Sequence, residues 1–425
     1  MRHAASAAAG SHALGCSPER PSPSLKKADT STMSTSATTD QMTVLAVSSA
    51  PERISAASRR PANLGHTPAG AVSLAMGEPD ASTAPKIVAA ATSALESGRT
   101  HYAPASGLAE LRDAIATRTT EQTGRSTAAS EVTLTHGASA ALAALVIALV
   151  RPGDRVVVPE PTYSLYADHL AMADADVVWV PSAADGSTDL TRLANAVPGA
   201  RMVILCNPSN PTGLVMDAHA MREVERIIAA HPETLLVCDE AYSEIVFDGL
   251  QFVSALSLTS IREQTIQVGT FSKTFAMTGW RLGYVIAPAG LAKKIDLIHR
   301  TVNGALCTFV QDAALQALAT PQAELDAMRV EYQSRRDLVI AALSGLDRVT
   351  VSSPQGAFYA FPRIDSSLSS ADLVEEFARG GVLVRAGSEY GTSGEGHVRI
   401  SFAADGETLR TGLARFERVV AALPR

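Results

Sequence analysis

The sequence has few of the features that mark secreted, metal-binding, membrane-spanning or nucleic-acid-binding proteins. It contains 4 cysteines in 425 residues, far apart and without a CxxC pair, so we expect neither a disulfide framework nor a zinc site. Reduced thiols fit a cytoplasmic protein. The longest apolar run, Ala140–Val150, is too short to span a membrane and favours a buried helix. The net charge is −7, and the lysines and arginines are scattered, which argues against a nucleic-acid groove.

Composition changes along the chain and suggests how it is divided. The N-terminal part is rich in Ala, Ser, Thr and Pro, so it cannot bury enough surface to order itself. We expect a disordered leader over residues 1–55, with a targeting segment, or a true start at Met33 or Met42, as open alternatives. The length predicts two or more domains. We expect an N-terminal arm and part of a small domain over 56–90, a large domain over 91–322, and a small C-terminal domain over 323–425.

Helical and strand patterns alternate after the leader. Apolar strands are predicted at 155–159, 177–180, 201–206, 234–238, 265–269 and 281–287, and helices at 86–97, 108–120 and 217–230. Continuous apolar strands with helices between them predict an α/β fold, with a mostly parallel sheet covered on both faces. A long helix at 323–343, a helix at 370–379 and a strand at 397–402 predict a smaller α+β domain.

Polar side chains follow three of these strands, where such sheets bind their ligands. They are Asn207 and Asn210, then Asp239 and Tyr242, then Thr270, Ser272 and Lys273. Each has a less specific explanation. NPSNPTG could be an ordinary turn, and the acid after a strand is typical of nucleotide triphosphatases, but the chain has no GxxxxGK[ST] loop. A lone lysine is usually solvated, but Lys273 lies between two apolar segments.

An amine that can form an imine, beside a buried acid and hydroxyl and amide donors, matches the needs of pyridoxal 5′-phosphate (PLP). The pyridine nitrogen of PLP must stay protonated to draw electrons from the substrate, and a carboxylate stabilises that proton. Its phosphate needs hydroxyls, backbone N–H groups and a cation. The sequence therefore predicts a PLP site and no metal.

Three motifs resemble those of class I and II (fold-type I) aminotransferases, the aspartate aminotransferase superfamily. They are NPSNPTG, CDEAY and GTFSKTFAMTGWRLGY, in this order and at similar spacing. Further matches run from MGEPD near residue 77 to HVRISFA near residue 397, so the resemblance covers nearly everything after the leader. It implies the PLP transferase fold type I, with a large seven-stranded-type sheet and a smaller α+β domain.

The resemblance also implies roles for individual residues. Lys273 would be the imine lysine and the acid–base group, Asp239 the partner of the pyridine nitrogen, and Asn210 and Tyr242 the donors to the ring oxygen. The implied phosphate ligands are Thr270, Ser272, Arg281 and the start of a helix at Gly137, Ala138 and Ser139, where plain helix capping by small residues is the alternative.

Four further residues have implied roles around the ring and the substrate. Tyr163 resembles the aromatic residue that stacks on the ring. Tyr102 resembles the tyrosine that reaches the phosphate of the neighbouring subunit, which implies a homodimer with shared active sites. Arg399 resembles the arginine that binds the substrate α-carboxylate, with the backbone of Gly77 nearby.

The implied activity is the transfer of an amino group from an L-amino acid to a 2-oxo acid through a PLP imine on Lys273, with ping-pong kinetics. This places the chain in amino-acid metabolism. A PLP-dependent lyase, decarboxylase or cyclopropane-carboxylate-type synthase on the same fold is an alternative, and a non-catalytic PLP-binding regulatory module is a more distant one. Ala138 stands where some bacterial aspartate aminotransferases carry a lysine, which puts a strict aspartate preference in doubt. The donor and the acceptor stay open.

Overall fold

The strands form where the chain is rich in apolar and β-branched residues. The computed structural model describes residues 49–61 and 68–424. The strands in those residues are β1 (Val72–Ser73), β2 (Val132–Thr135), β3 (Arg155–Glu160), β4 (Asp176–Pro181), β5 (Met202–Cys206), β6 (Leu235–Asp239), β7 (Thr265–Thr270), β8 (Gly283–Ile286), β9 (Val349–Thr350), β10 (Tyr359–Ala360), β11 (Arg363–Ile364), β12 (Val382–Leu383), β13 (Arg385–Ala386) and β14 (Val398–Ser401).

Helices occupy most of the chain between these strands. They are α1 (Ser49–Ala57), α2 (Pro85–Glu96), α3 (Ala109–Thr123), α4 (Gly137–Leu149), α5 (Leu165–Met172), α6 (Leu190–Ala196), α7 (Ala218–Ala229), α8 (Ala289–Asn303), α9 (Thr308–Leu318), α10 (Gln322–Ser344), α11 (Ser370–Arg379) and α12 (Gly406–Ala422). Every strand and helix predicted above has a counterpart, and the apolar run at Ala140–Val150 lies mostly in α4.

Seven strands form the large sheet, in the order β2-β8-β7-β6-β5-β3-β4. Only β8 runs against its neighbours β2 and β7, and the other pairs are parallel. The mostly parallel sheet predicted from the sequence is therefore confirmed.

Both faces of this sheet are covered by helices. Val156 and Val158 lie in one core with Leu145 of α4, whereas Val157 lies in another with Met221 of α7. Successive side chains of β3 point to opposite faces because a strand is pleated. Each buried valine contributes on the order of 1.5–3 kcal/mol, so the sheet gains stability on both faces.

The C-terminal part of the chain has short strands and its own core. β14 pairs with β10 and β13, β1 pairs with β12, and β9 pairs with β11. Residues of α10, α11 and α12 pack into one hydrophobic cluster with these strands, and Leu74 joins the cluster from the N-terminal side. This is the α+β arrangement predicted for this part of the chain, while the predicted domain boundaries stay a prediction.

A short helix, α1, precedes the rest of the fold. Arg53 of α1 donates to the carbonyl oxygens of Ala171 and Met172 at the end of α5, at 3.0 and 3.2 Å. The helix includes residues 49–55, which the sequence places in the disordered leader. The remainder of that predicted leader lies outside the described residues. Among the helices that the structure describes, none combines the length and apolar character that crossing a membrane requires.

Candidate active site

Three neighbouring strands of the large sheet end at the same edge. β5, β6 and β7 are parallel, and their register pairs Cys206 with Asp239 and Asp239 with Val268. The chain segments after these strands therefore start side by side. This is why Asn210, Asp239 and Lys273, which are far apart in the sequence, meet in one place.

A cavity of about 350 Å³ lies at this edge, a size typical of small-molecule sites. The predicted site residues that line it are Gly77, Ala138, Ser139, Tyr163, Asn210, Asp239, Tyr242, Thr270, Ser272, Lys273, Arg281 and Arg399. Gly137 is adjacent to Ala138 at the start of α4. The structure thus brings together every predicted site residue except Tyr102.

The amine of Lys273 is held inside this cavity and is easily deprotonated. Its Nζ donates to the carbonyl oxygen of Gly77 at 2.6 Å. Burial lowers the pKa of Lys273 to about 8, and the charge of Arg399 adds to this effect, while Glu78 and Asp239 oppose it. A substantial fraction of Lys273 is consequently neutral in mildly alkaline solution, as a nucleophile or base must be.

The carboxylate of Asp239 is buried without a cation. The residue is 4% exposed. Its Oδ2 accepts from the hydroxyl of Tyr166 at 2.9 Å, and its Oδ1 accepts from the backbone N–H of Ala241 at 3.2 Å. Within the described residues it forms no ion pair, and burial raises its pKa while these hydrogen bonds and Lys273 counteract the rise. A cationic ring nitrogen would satisfy this acid.

A cradle for an anion lies at the start of α4. Gly137 has φ +79°, and a β-carbon there would lie 2.7 Å from Nη2 of Arg281, so a larger residue would strain the backbone and displace this guanidinium. Arg281 donates to the carbonyl oxygen of Thr278 at 2.7 Å. The hydroxyls of Thr270 and Ser272 are 2.9 Å apart. Helix N–H groups, hydroxyls and a cation together suit a phosphate.

Tyr163, Tyr242 and Tyr359 line the cavity. The Tyr163 ring meets the ring of Tyr166 edge to face, with centroids 5.5 Å apart. Burial raises the pKa of Tyr163 to about 12, against a hydrogen bond with Ser139. The hydroxyl of Tyr242 is 2.8 Å from that of Tyr359. These contacts fix the aromatic walls of the cavity.

The guanidinium of Arg399 is buried, and no carboxylate of the described residues pairs with it. Its Nη1 donates to Oδ1 of Asn210 at 3.1 Å and its Nη2 to the carbonyl oxygen of Ala75 at 2.6 Å. It lies over the rings of Tyr359 and Tyr390, 4.3 and 5.1 Å from their centroids. Its Nε is buried and has no hydrogen-bond partner in the part of the chain that the structure describes. An incoming carboxylate would satisfy this charge, because a guanidinium binds carboxylates in bidentate fashion.

The cavity residues that the sequence does not predict include two arginines and two tyrosines: Arg60, Arg385, Tyr359 and Tyr390. Arg60 is paired with Asp168 at 2.7 Å. None of the four follows a strand of the large sheet or belongs to a motif. The one signal that could have found Arg385 is its position opposite Arg399 across β13 and β14, and such pairing is not visible in a single sequence.

Tyr102 lies outside the cavity, and its side chain is in solvent. The residue is 98% exposed, so its predicted contact with a phosphate requires a second subunit.

Among the described residues no group of three or more His, Cys, Asp or Glu could hold a metal ion.

The cavity fits each part of PLP. The buried acid without a cation suits the pyridine nitrogen, the cradle at Gly137 suits the phosphate, and the amine of Lys273 suits the aldehyde. The buried, unpaired Nε of Arg399 suits a substrate carboxylate. A buried charge without a partner is costly, so the arrangement is one that a cofactor and a substrate would complete.

Comparison with known proteins agrees with this geometry. The family model for class I and II aminotransferases matches residues 69–416. An aspartate aminotransferase of Pyrococcus horikoshii is 33% identical over 356 residues, covering 82% of this chain and 90% of the relative. An aromatic-amino-acid aminotransferase of Thermococcus litoralis is 36% identical over 361 residues, covering 83% of this chain and 92% of the relative.

A solved structure shows the same fold. The aromatic aminotransferase from Pyrococcus horikoshii matches with a TM-score of 0.81 and 34% identity, over 88% of this chain and 98% of that structure. The predicted family, fold type and cofactor are therefore confirmed. The chain belongs to the class I and II aminotransferases, and it is a transaminase that uses pyridoxal 5′-phosphate.

Proposed function

We propose that this transaminase uses Lys273 to hold the cofactor and to move the proton of the substrate α-carbon. The observation that supports this most strongly is that Lys273, Asp239 and Arg399 line one cavity. When bound, PLP supplies an aldehyde and an electron-withdrawing ring that stabilises the charge left on the α-carbon. The remaining steps depend on side chains of this chain.

Lys273 acts as the base and then as the acid. Its pKa of about 8 makes the neutral amine available near physiological pH, which is where a general base is most effective. The carbonyl oxygen of Gly77, 2.6 Å from Nζ, keeps the amine inside the cavity. Nζ removes the proton from the α-carbon of the substrate. It later donates a proton to the carbon that the aldehyde of the cofactor contributes.

Asp239 keeps the ring nitrogen of the cofactor protonated. The hydrogen bonds from Tyr166 and Ala241 favour its ionised form, since they stabilise a carboxylate against burial. The anion therefore contributes most when negative charge develops on the substrate, so it should affect turnover more than substrate binding.

Arg281, the first N–H groups of α4 and the hydroxyls of Thr270 and Ser272 hold the phosphate. Arg399 binds the α-carboxylate of the substrate, and its bond to Asn210 fixes the direction in which the guanidinium presents its remaining N–H groups. Fixing the carboxylate orients the α-carbon towards Nζ of Lys273, and such positioning accounts for a large part of enzymatic rate enhancement.

Two properties of the whole protein belong to the same proposal. The exposed Tyr102 supports a homodimer in which this residue completes the active site of the partner subunit. The widely spaced cysteines support a cytoplasmic location.

The experiment is a half-reaction without acceptor. The PLP-loaded enzyme and an L-amino acid should give one equivalent of 2-oxo acid per site and no ammonia. Added 2-oxo acid should then be converted to its amino acid, which returns the enzyme to its starting form. Lys273→Ala should abolish this single turnover. Release of ammonia would indicate a lyase instead, and an unchanged single turnover in Lys273→Ala would contradict the role of the lysine.

The dimer is tested separately by sedimentation velocity. We expect a dimer, and we expect Tyr102→Phe to weaken cofactor binding without changing the sedimentation coefficient. A monomer that is fully active would contradict the shared site.

A further inference from the structure

Four arginines line the cavity, and they differ in whether an acid of the protein neutralises them. They are Arg60, Arg281, Arg385 and Arg399. Within the described residues, Arg281 and Arg399 form no ion pair, and these are the two assigned to the phosphate and the α-carboxylate. The other two are each paired with a carboxylate. The unpaired cations therefore match the two anionic groups that the proposed reaction brings into the cavity.

Arg385 lies directly opposite Arg399 in the antiparallel pair of β13 and β14. Residues in such positions point to the same face, with β-carbons about 4.5–5.5 Å apart, and like charges there destabilise the sheet. The arrangement therefore requires a compensating acid.

Glu389 supplies that acid. Its Oε2 accepts from Nη2 of Arg385 and its Oε1 from the backbone N–H of Ala386, the latter at 3.3 Å. The side chains of Arg385 and Glu389 are 15% and 6% exposed, so the pair is little screened by water. The negative charge of Glu389 also stabilises the charge of Arg399.

The charges of this cluster balance when one carboxylate is bound. Arg385 and Arg399 carry two positive charges, and Glu389 and the substrate α-carboxylate carry two negative ones. A second carboxylate on the substrate would leave the cluster with an excess anion, or would have to displace Glu389 from Arg385. Either change leaves a poorly hydrated charge without a partner, which is costly.

We propose that Glu389, by occupying Arg385, makes the cavity select amino and 2-oxo acids that carry a single carboxylate and an uncharged side chain. Because Glu389 is paired with Arg385, Arg385 has no free charge to offer a second carboxylate of the substrate. This inference rests on the proposed function, because it takes Arg399 as the residue that binds the α-carboxylate.

The first test uses the wild-type holoenzyme and pairs of acids of equal length. We expect kcat/KM for 2-oxopentanoate to exceed that for 2-oxoglutarate at least about tenfold, since an unmatched charge-assisted contact changes affinity by about that factor or more. Calorimetry should show pentanoate binding more tightly than glutarate, neither of which reacts. A preference for the dicarboxylates in both assays would overturn the proposal.

Variants then identify the residue responsible. Glu389→Gln should free Arg385 and shift both ratios towards the dicarboxylate about 10- to 100-fold. Adding Arg385→Leu to Glu389→Gln should remove that shift. Glu131→Gln is the matched control, because it breaks the buried pair with Arg125, at 2.6 Å, by the same loss of one charge outside the cavity, and we expect it to leave the ratios unchanged. A shift in Glu131→Gln but not in Glu389→Gln would overturn the assignment.

The two assays also separate this inference from the proposed function. If pentanoate binds more tightly than glutarate but no 2-oxo acid is turned over, the proposed function fails and the selectivity stands. If turnover occurs and favours 2-oxoglutarate, the selectivity fails and the proposed function stands. Should Glu389→Gln not fold, the wild-type pair of dissociation constants still tests the selectivity, and tighter binding of glutarate than of pentanoate would overturn the proposal.

Discussion

The residues that the large sheet brings to the cavity differ from those of the C-terminal strands in how their charges are balanced. Among the described residues, Asp239 at the sheet edge has no cation and Arg281 has no acid, although Asp239 is almost fully buried. Of the two cavity arginines in the C-terminal part, Arg385 is paired with Glu389, whereas Arg399 forms no ion pair with the described residues.

The residues with unpaired charges at the sheet edge are those that we assign to the cofactor, whereas the C-terminal residues are those that we assign to substrate selection. Buried charges without partners are costly in the protein alone, so binding of a complementary group there contributes strongly to affinity. An ion pair such as Arg385–Glu389 is already neutralised, so it gains little free energy from binding a further ion and disfavours one.

Removing the unpaired acid should have the largest effect. Asp239→Ala should lower kcat about 100- to 1,000-fold, the usual result of removing one group that stabilises transition-state charge, with a smaller change in KM. The control is Glu240→Gln, the next residue and also a buried acid, which is bonded to Ser254, Ala255 and Gln267 instead. Equal losses of kcat in the two variants would show that Asp239 has no role in catalysis that another buried acid lacks.

Removing the unpaired arginine of the C-terminal part should affect substrate binding. Arg399→Ala should raise KM for an amino acid about 10- to 100-fold, the loss expected for a charge-assisted hydrogen bond. The decarboxylated amine of the same amino acid serves as the internal control, since it lacks the carboxylate. If the wild type binds the amine as tightly as the amino acid, Arg399 does not bind the carboxylate.

The lowered pKa of Lys273 should appear in the pH dependence of cofactor incorporation. Only the neutral amine attacks an aldehyde, so the rate of covalent loading of the cofactor-free protein should rise with pH and level off above about 8. Between pH 8 and pH 7 it should fall several-fold, approaching about tenfold per unit at lower pH. A rate that continues to rise beyond pH 10 would show an unperturbed lysine.

The smallest effect is expected for a residue that acts on the cavity through Asp239. Tyr166→Phe removes the hydroxyl that donates to Oδ2 at 2.9 Å and should weaken PLP binding about two- to tenfold, as measured by equilibrium dialysis. In an Asp239→Ala background the same change should have no further effect. Full additivity of the two substitutions would contradict coupling between Tyr166 and Asp239.

The residues at the sheet edge could be predicted because their signals are local. Asn210, Asp239 and Lys273 each follow an apolar strand, and parallel strands of one sheet end at one edge. The positions of these strands were visible as runs of apolar residues. The short strand β2 and the helices α5, α6, α8, α9 and α12 were not predicted, although α8 (15 residues) and α12 (17 residues) are longer than the predicted α7 (12 residues).

The C-terminal side of the cavity depends on contacts between distant parts of the chain. Tyr359 and Arg385 lie on β10 and β13, strands of two residues each, which are too short for a periodic pattern. They reach the cavity because β14 pairs with both strands. Arg60 is placed by its ion pair with Asp168, 108 residues away, and nothing in the local sequence specifies that partner.

The central claim, that Lys273 is the residue that holds the cofactor, has a direct test. The PLP-loaded protein is reduced with borohydride, digested, and its peptides are identified by mass spectrometry. We predict a single pyridoxyl adduct, on Lys273. An adduct on another lysine, with Lys273 unmodified, would contradict the account.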